Sequence, residues 1–249
     1  AAPKSLGELD YNTDHRSEAE LRAEPAFAGN LDSAYAKLVD SVYPMDLPRN
    51  FHAEKMTALL KNVSLSVSDL ILAQKNPDDE YHYTTLRLSP SLIDALRLPE
   101  YDDATGGEIS LRPVYELWGL NYDENTVLCP DKATVVTGLW SDVLSNASVF
   151  LYRCGLSMTD LQEILLYPTF EKEGVRITAT TNAYQLGDIS AFCIENISES
   201  FARKVSRFVR LKRLLGWNNE DVLLVFNLDL KDIDRVAHLK TLTSASVSE

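Results

Sequence analysis

Four times along the chain an apolar residue is followed by Ser, Asn or Asp, an acid comes three positions after that, and another apolar residue follows. The copies are Leu65-Ser66-Val67-Ser68-Asp69-Leu70, Leu156-Ser157-Met158-Thr159-Asp160-Leu161, Trp217-Asn218-Asn219-Glu220-Asp221-Val222 and Leu228-Asp229-Leu230-Lys231-Asp232-Ile233. Leu88-Ser89-Pro90-Ser91-Leu92-Ile93 is a fifth, with Pro at the first helical position. Each spells a helix start. The small polar side chain accepts a free N–H of the first turn, and the acid sits where the helix dipole favours negative charge. The flanking apolar pair, such as Leu156 with Leu161, can close as a hydrophobic staple. The expected fold is therefore mainly α, an irregular array of short capped helices.

Composition narrows the class. The 249 residues are 45% apolar, enough for a real core, and the net charge is -13. Such a charge disfavours non-specific binding to polyanions. No apolar run approaches the roughly 20 residues of a membrane-spanning helix, and no signal peptide is visible between Ala1 and Glu20. The chain begins without Met and ends in a polar tail, and is read as a fragment of a longer protein. Cys129, Cys154 and Cys193 are too scattered for a disulfide framework or a zinc site. Cys154 falls on an apolar helix face and is expected as a buried free thiol.

Residues 1–16 read as a loose segment and 17–249 as one helical domain. Ser17 with Glu20 resembles a capping box, and Asn30 can cap a helix over 31–42 with Ala34, Leu38 and Val42 on one face. Pro44 and Pro48 force an extended connector, Tyr43-Pro44-Met45-Asp46-Leu47-Pro48. A helix is expected over 52–61 and another from Ser66. Residues 76–80 read as a turn, and 99–110 and 120–132 as irregular. From Thr134 the pattern is helical, with Val143, Ala147, Phe150, Leu151 and Cys154 on one stripe and Gly155 as its C-terminal cap. Any sheet is expected near 174–193, where β-branched residues alternate over Val175–Thr181 and a partner can lie near Ile189–Cys193. A helix follows over 199–215, ended by Gly216, then two short helices from Asn218 and Asp229. Phe150, Leu156, Leu161, Phe208, Leu215 and Trp217 are expected in the core. Ser157 is read as a helix cap, a role Asp could also fill.

Two blocks resemble a known family. One is Leu144-Ser145-Asn146-Ala147-Ser148-Val149-Phe150-Leu151-Tyr152-Arg153-Cys154-Gly155, continuing through Leu156–Leu161. The other is Ser206-Arg207-Phe208-Val209-Arg210-Leu211-Lys212-Arg213-Leu214-Leu215-Gly216-Trp217. Together they resemble the N-terminal helical region of the A subunits of insecticidal toxin complexes (Tc toxins), the virulence plasmid A protein region. The connector at 43–48 is similar to that family's aromatic-Pro-aromatic-x-Leu-Pro, with Met45 in place of the second aromatic. The resemblance spans residues 20 to 240. It implies a part of the helical shell around a protein-translocation channel, in a subunit that forms pentamers, joins other toxin-complex subunits, and is secreted or displayed at the cell surface. It implies no catalytic residue, cofactor site or metal site in this stretch.

Sharper readings compete at a few places. Arg203, Lys204, Arg207, Arg210, Lys212 and Arg213 lie on the 199–215 helix with no acid between Phe201 and Trp217. That is either a face for nucleic acid, membrane or a partner, or the solvated side of a packed helix whose apolar stripe is Phe201, Val205, Phe208, Val209 and Leu215. The second reading is preferred, with internal ion pairs and no nucleic acid; Lys212, inside the stripe, must snorkel or pair. His15, His52, His82 and His238 have no metal-ligand spacing. Asp78, Asp79, Glu80 and His82 could hold a cation weakly, but read as a solvated turn. Tyr81-His82-Tyr83 could flank a sugar, but reads as a loop anchor. Gly106-Gly107 lacks the Lys of a phosphate loop. The preferred function is a non-enzymatic structural module. A host-receptor or glycan-binding module stands second, and a stand-alone enzyme third.

Overall fold

The computed structural model describes residues 36–38, 41–47, 51–73, 79–98, 111–179 and 189–243. The loose 1–16 segment, the caps at Ser17 and Asn30, the 99–110 loop and the Asn182 turn lie outside these residues. In chain order the helices are α1 (Phe51–Lys61), α2 (Val67–Ala73), α3 (Asp79–Thr85), α4 (Pro90–Leu96), α5 (Val114–Leu117), α6 (Trp140–Ser145), α7 (Ala147–Cys154), α8 (Met158–Leu165), α9 (Pro168–Glu171), α10 (Glu199–Leu215), α11 (Asn219–Val225) and α12 (Leu230–Thr243). The fold is mainly helical. Two antiparallel pairs interrupt it, β1 (Asn125–Leu128) with β2 (Val135–Gly138) and β3 (Arg176–Ala179) with β4 (Phe192–Glu195).

The capping cassettes act as their chemistry requires. Ser66, Ser89, Ser157 and Asn218 each accept the backbone N–H three residues on. Ser157 is tied more closely than a simple cap. Its Oγ accepts from Asp160 N at 3.0 Å and donates to Asp160 Oδ2 at 2.7 Å, while its own N–H donates to the same carboxylate at 2.9 Å. The sequence reading expects Ser157→Asp to lose much less than Ser157→Ala; the donated bond argues for the opposite order, because a second carboxylate would face Asp160 and could not donate. Ser157→Ala is expected to lose about 1 kcal/mol, and Ser157→Asp at least as much. Urea unfolding that ranks Asp as the milder change would show the donated bond to be unimportant.

The first sheet corrects the expectation of a single β excursion. Thr126-Val127-Leu128 and Val135-Val136-Thr137 alternate inward and outward, and Val127 and Val136 pair on the core side. Pro130 and the nearby acids disguise them as irregular chain. The turn between them is made by Asp131, whose carboxylate accepts from Ala133 N, Thr134 N and Thr134 Oγ1. Helix therefore resumes at Trp140 and not at Thr134. The second sheet lies where it was expected, with its partner strand shifted to Phe192–Glu195 and Ile177 opposite Ile194.

The long stripe Val143–Cys154 is two helices. Asn146 takes an extended conformation (φ -74°, ψ 113°), accepts from Val149 N, and bridges to Cys193 of β4. An Asn side chain inside a helix competes for backbone partners, and here it restarts the helix. The stripe is buried all the same, with Phe150, Ala147 and Cys154 fully enclosed, and Gly155 closes α7 in the left-handed conformation.

Other expectations need smaller corrections. The helix read over 31–42 is seen at residues 36–38, but residues 41–43 are not helical. On its expected face Val42 is buried and Leu38 exposed, and Ala34 lies outside the described residues. Asp79 and Glu80 open α3, so they are helix and not turn. The final helix runs 14 residues. Leu215 and Trp217 pack against the core only half-buried, whereas Phe150, Leu156, Leu161 and Phe208 are buried within it.

Candidate functional site: a buried arginine array

The densest chemistry in the described chain is α10. Ser198 caps it, with Oγ accepting from Phe201 N at 3.0 Å, and Gly216 ends it at φ 67°. Every residue from Phe201 to Leu211 is buried, including Arg203, Lys204, Arg207 and Arg210. The reading of these bases as a solvated face is thus corrected. The apolar stripe faces one set of neighbours, with Phe201 and Phe208 each edge-on to Phe170. Arg203, Arg207 and Arg210, spaced four and three apart, form a second stripe that is equally enclosed.

A buried guanidinium needs acceptors for its five N–H bonds. Here they are mostly backbone carbonyls left over at helix ends. Arg207 donates from Nε to Phe226 O at 3.1 Å, from Nη2 to Leu228 O at 2.8 Å and from Nη1 to Leu96 O. Those oxygens belong to the C-terminal cap of α11, the turn before α12 and the last residue of α4. Arg210 donates to Val42 O, Leu47 O, Met45 O at 3.4 Å and Leu117 O at 3.4 Å, and its Nε reaches Ser206 Oγ at 3.2 Å. It therefore holds both the end of α5 and the connector, which corrects the expected extended run by folding into a turn closed by Leu47 N donating to Pro44 O at 2.8 Å. Burial pulls its pKa down to about 10, so it stays charged at neutral pH. Helix C-termini carry partial negative charge, which suits cations at these oxygens.

Arginines nearby repeat the pattern. Arg153 of α7 donates to Trp118 O and to Gly119 O at 3.3 Å, and its guanidinium lies 5.1 Å over the Tyr43 ring. Gly119 has φ +65°, and a Cβ there would lie 2.3 Å from the Tyr43 ring, so the connector can seat only against glycine. Arg213 donates to Cys154 O, the last carbonyl of α7, at 3.0 Å. Arg203 donates to Arg112 O at 2.8 Å and Glu199 Oε1 at 3.2 Å.

The two lysines use carboxylates. Lys204 meets Glu173 at 2.6 Å, and Lys212 meets Asp160 at 3.1 Å, which resolves the placement of Lys212 by pairing. Burial alone would raise the Glu173 pKa, but donation from Lys204, Ser200 and Ser198 outweighs it and holds the group below its ordinary 4.5. Asp160 likewise resists burial through Ser157, Asn219 and Lys212 and sits well below its ordinary 3.8. Carboxylates with lowered folded pKa values stabilise fully above their unfolded values, and that contribution is lost as pH falls through the folded ones. The melting temperature should hold level from pH 7 to about 5 and fall below about 4. Glu173→Gln should start lower and fall less steeply; parallel curves would remove Glu173 from the acid response.

The other residues weighed from sequence are dispersed. His82 Nδ1 lies 2.7 Å from Asp234 Oδ2, linking α3 to α12, and His238 is exposed. His15 and the His52 side chain lie outside the described residues. The Tyr81 ring stands edge-on to His82 at 5.2 Å. Among the described residues no group of His, Cys, Asp or Glu could hold a metal ion, and no helix is long and apolar enough to cross a membrane. Cys129, Cys154 and Cys193 are free thiols, and burial pushes the Cys154 pKa up to about 12. What the sequence reading missed was the acceptor. Arginines spaced along one stripe with no local acid were the available signal, but backbone oxygens leave no mark in composition. Chemically the array can hold backbone in place, since most of its described acceptors are peptide carbonyls.

No protein-family model matches this chain, and no curated protein or solved structure matches it.

Proposed function

We propose that this chain is a non-enzymatic structural module of a pore-forming toxin-complex A subunit, part of the helical shell around a protein-translocation channel. The observation that carries the reading is the meeting of three sequence pieces. The connector 43–47, the 144–161 block and the 206–217 block are the pieces that resemble the family, and they converge on the arginine array. Arg210 holds the connector, Arg153 stacks on Tyr43, and Arg213 and Lys212 join the second block to the first. A helix buried on all sides and clamped to four helix ends makes a stiff wall element, which suits a shell. Arg203, Arg207 and Arg210 are committed inward, which supports a role within the protein and not on nucleic acid. The partners are then other parts of the same subunit, further copies in a pentamer and the other toxin-complex subunits, with a host receptor met elsewhere on the shell. The setting is secreted or at the cell surface.

Electron microscopy of the parent protein, tagged at the exposed turn of residues 131–134, tests this. The expected image is a five-fold particle with the tags on its outer wall. A particle without five-fold symmetry, or tags lining a channel, would overturn it, and specific retention of the isolated chain on a glycan array would favour the receptor-binding reading.

A further inference from the structure

At the C-terminal ends of α7 and α10 lies an open cavity of about 300 Å³. Its floor is apolar, made by Cys154, Leu156 and Val209, all buried. The Cys154 thiol stays protonated across the neutral range, so it adds no charge there. One wall is Trp217, whose ring also carries the Lys240 ammonium 4.5 Å from its centre. Two cations, Lys212 and Arg213, stand at the rim. Lys212 is already neutralised by Asp160 at 3.1 Å. Arg213 is exposed, and among the described residues it is fixed by one nitrogen, Nη2, on Cys154 O. That placement depends on Gly155, where a Cβ would come within 2.6 Å of Nη2.

We infer that this cavity binds a carboxylate carried on a small apolar or aromatic body, with the apolar part on the Cys154–Leu156–Val209 floor and the carboxylate on the free edge of Arg213. A planar guanidinium anchored at one nitrogen presents its remaining N–H bonds in the fork that matches a carboxylate. The volume is at the small end of ligand sites. The site stands apart from the shell reading and does not depend on it. A free small acid and the C-terminus of a peptide ending in an apolar residue share this chemistry.

The test is a nuclear magnetic resonance titration of the whole chain with 3-phenylpropanoate and with its neutral amide. The acid should bind with Kd of about 1 mM or tighter and shift the amide signals of residues 154–156 and 212–217. The amide should bind at least about tenfold more weakly, Arg213→Gln should weaken the acid to the same degree, and Arg213→Lys should fall between. Thermal melts verify that both variants fold, and the acid–amide comparison needs no variant. A six-residue peptide ending in Phe, with a free or an amidated C-terminus, separates the sources. Binding by the free-ended peptide assigns a chain terminus, and binding by the small acid alone assigns a small metabolite. Equal binding of acid and amide, undiminished binding by Arg213→Gln, or no binding at about 10 mM would each overturn the inference.

Discussion

Arg210→Ala should destabilise the chain by about 4 kcal/mol. The guanidinium donates to the carbonyls of Val42, Met45, Leu47 and Leu117 in a site where Arg210 is 2% exposed. Removing it strands several acceptors away from water, each at about 1–3 kcal/mol before relaxation. It also opens a void beside Met45 and Leu117, which are otherwise fully buried. Arg210→Lys should recover only part of the loss, because one ammonium has three donors and no planar fork. Equilibrium urea unfolding measures both. A loss under about 1 kcal/mol in the alanine variant would mean that water replaces the side chain and that the connector needs no anchor. The connector should respond first, so amide hydrogen exchange at residues 42–47 should quicken before that of α10.

Phe150→Ala should cost about 3–5 kcal/mol. Its ring has no exposure, lies 4.8 Å from Trp118 centre to centre, and stacks at 6.1 Å on Phe201. Trp118 caps the end of α5 and Phe201 lies on α10, so together with α7, which carries Phe150, the cavity would open where three helices meet. The walls are poor at collapsing, because Trp118 is tethered by its indole N–H to Ala202 O at 3.1 Å. Phe150→Leu keeps most of the volume and should lose less than half as much. Equal losses from the two variants would place the stabilisation in ring stacking and not in the filled volume.

Local chemistry carried most of what the sequence could say. Ser66, Ser89, Ser157 and Asn218 cap helices from their own side chains, a contact three residues long, and Gly155 and Gly216 end helices for an equally local reason. Contacts set by tertiary packing were harder to see. Nothing near Arg207 in the sequence announces Leu96 O, which lies 111 positions away. Asn146 looked like one residue in a continuous stripe, but its side chain caps a new helix at Val149 N and its backbone bridges to Cys193. The hairpin at 125–138 was hidden because Pro130 and Asp131, which make its turn, are the residues that mark irregular chain. The carboxylate cavity was invisible for the same reason as the arginine array, since its two halves come from α7 and α10.

The arginine array also divides the freedom to vary unequally. In an ion pair both partners are side chains, and a change at either end breaks the contact. Here the acceptors at 42, 45, 47, 96, 117, 226 and 228 are peptide oxygens, which every amino acid carries. Those seven positions can drift among apolar residues of fitting size without losing a single bond to the array. The whole informational burden of the junction falls on Arg207 and Arg210, two codons that secure four separate stretches of chain.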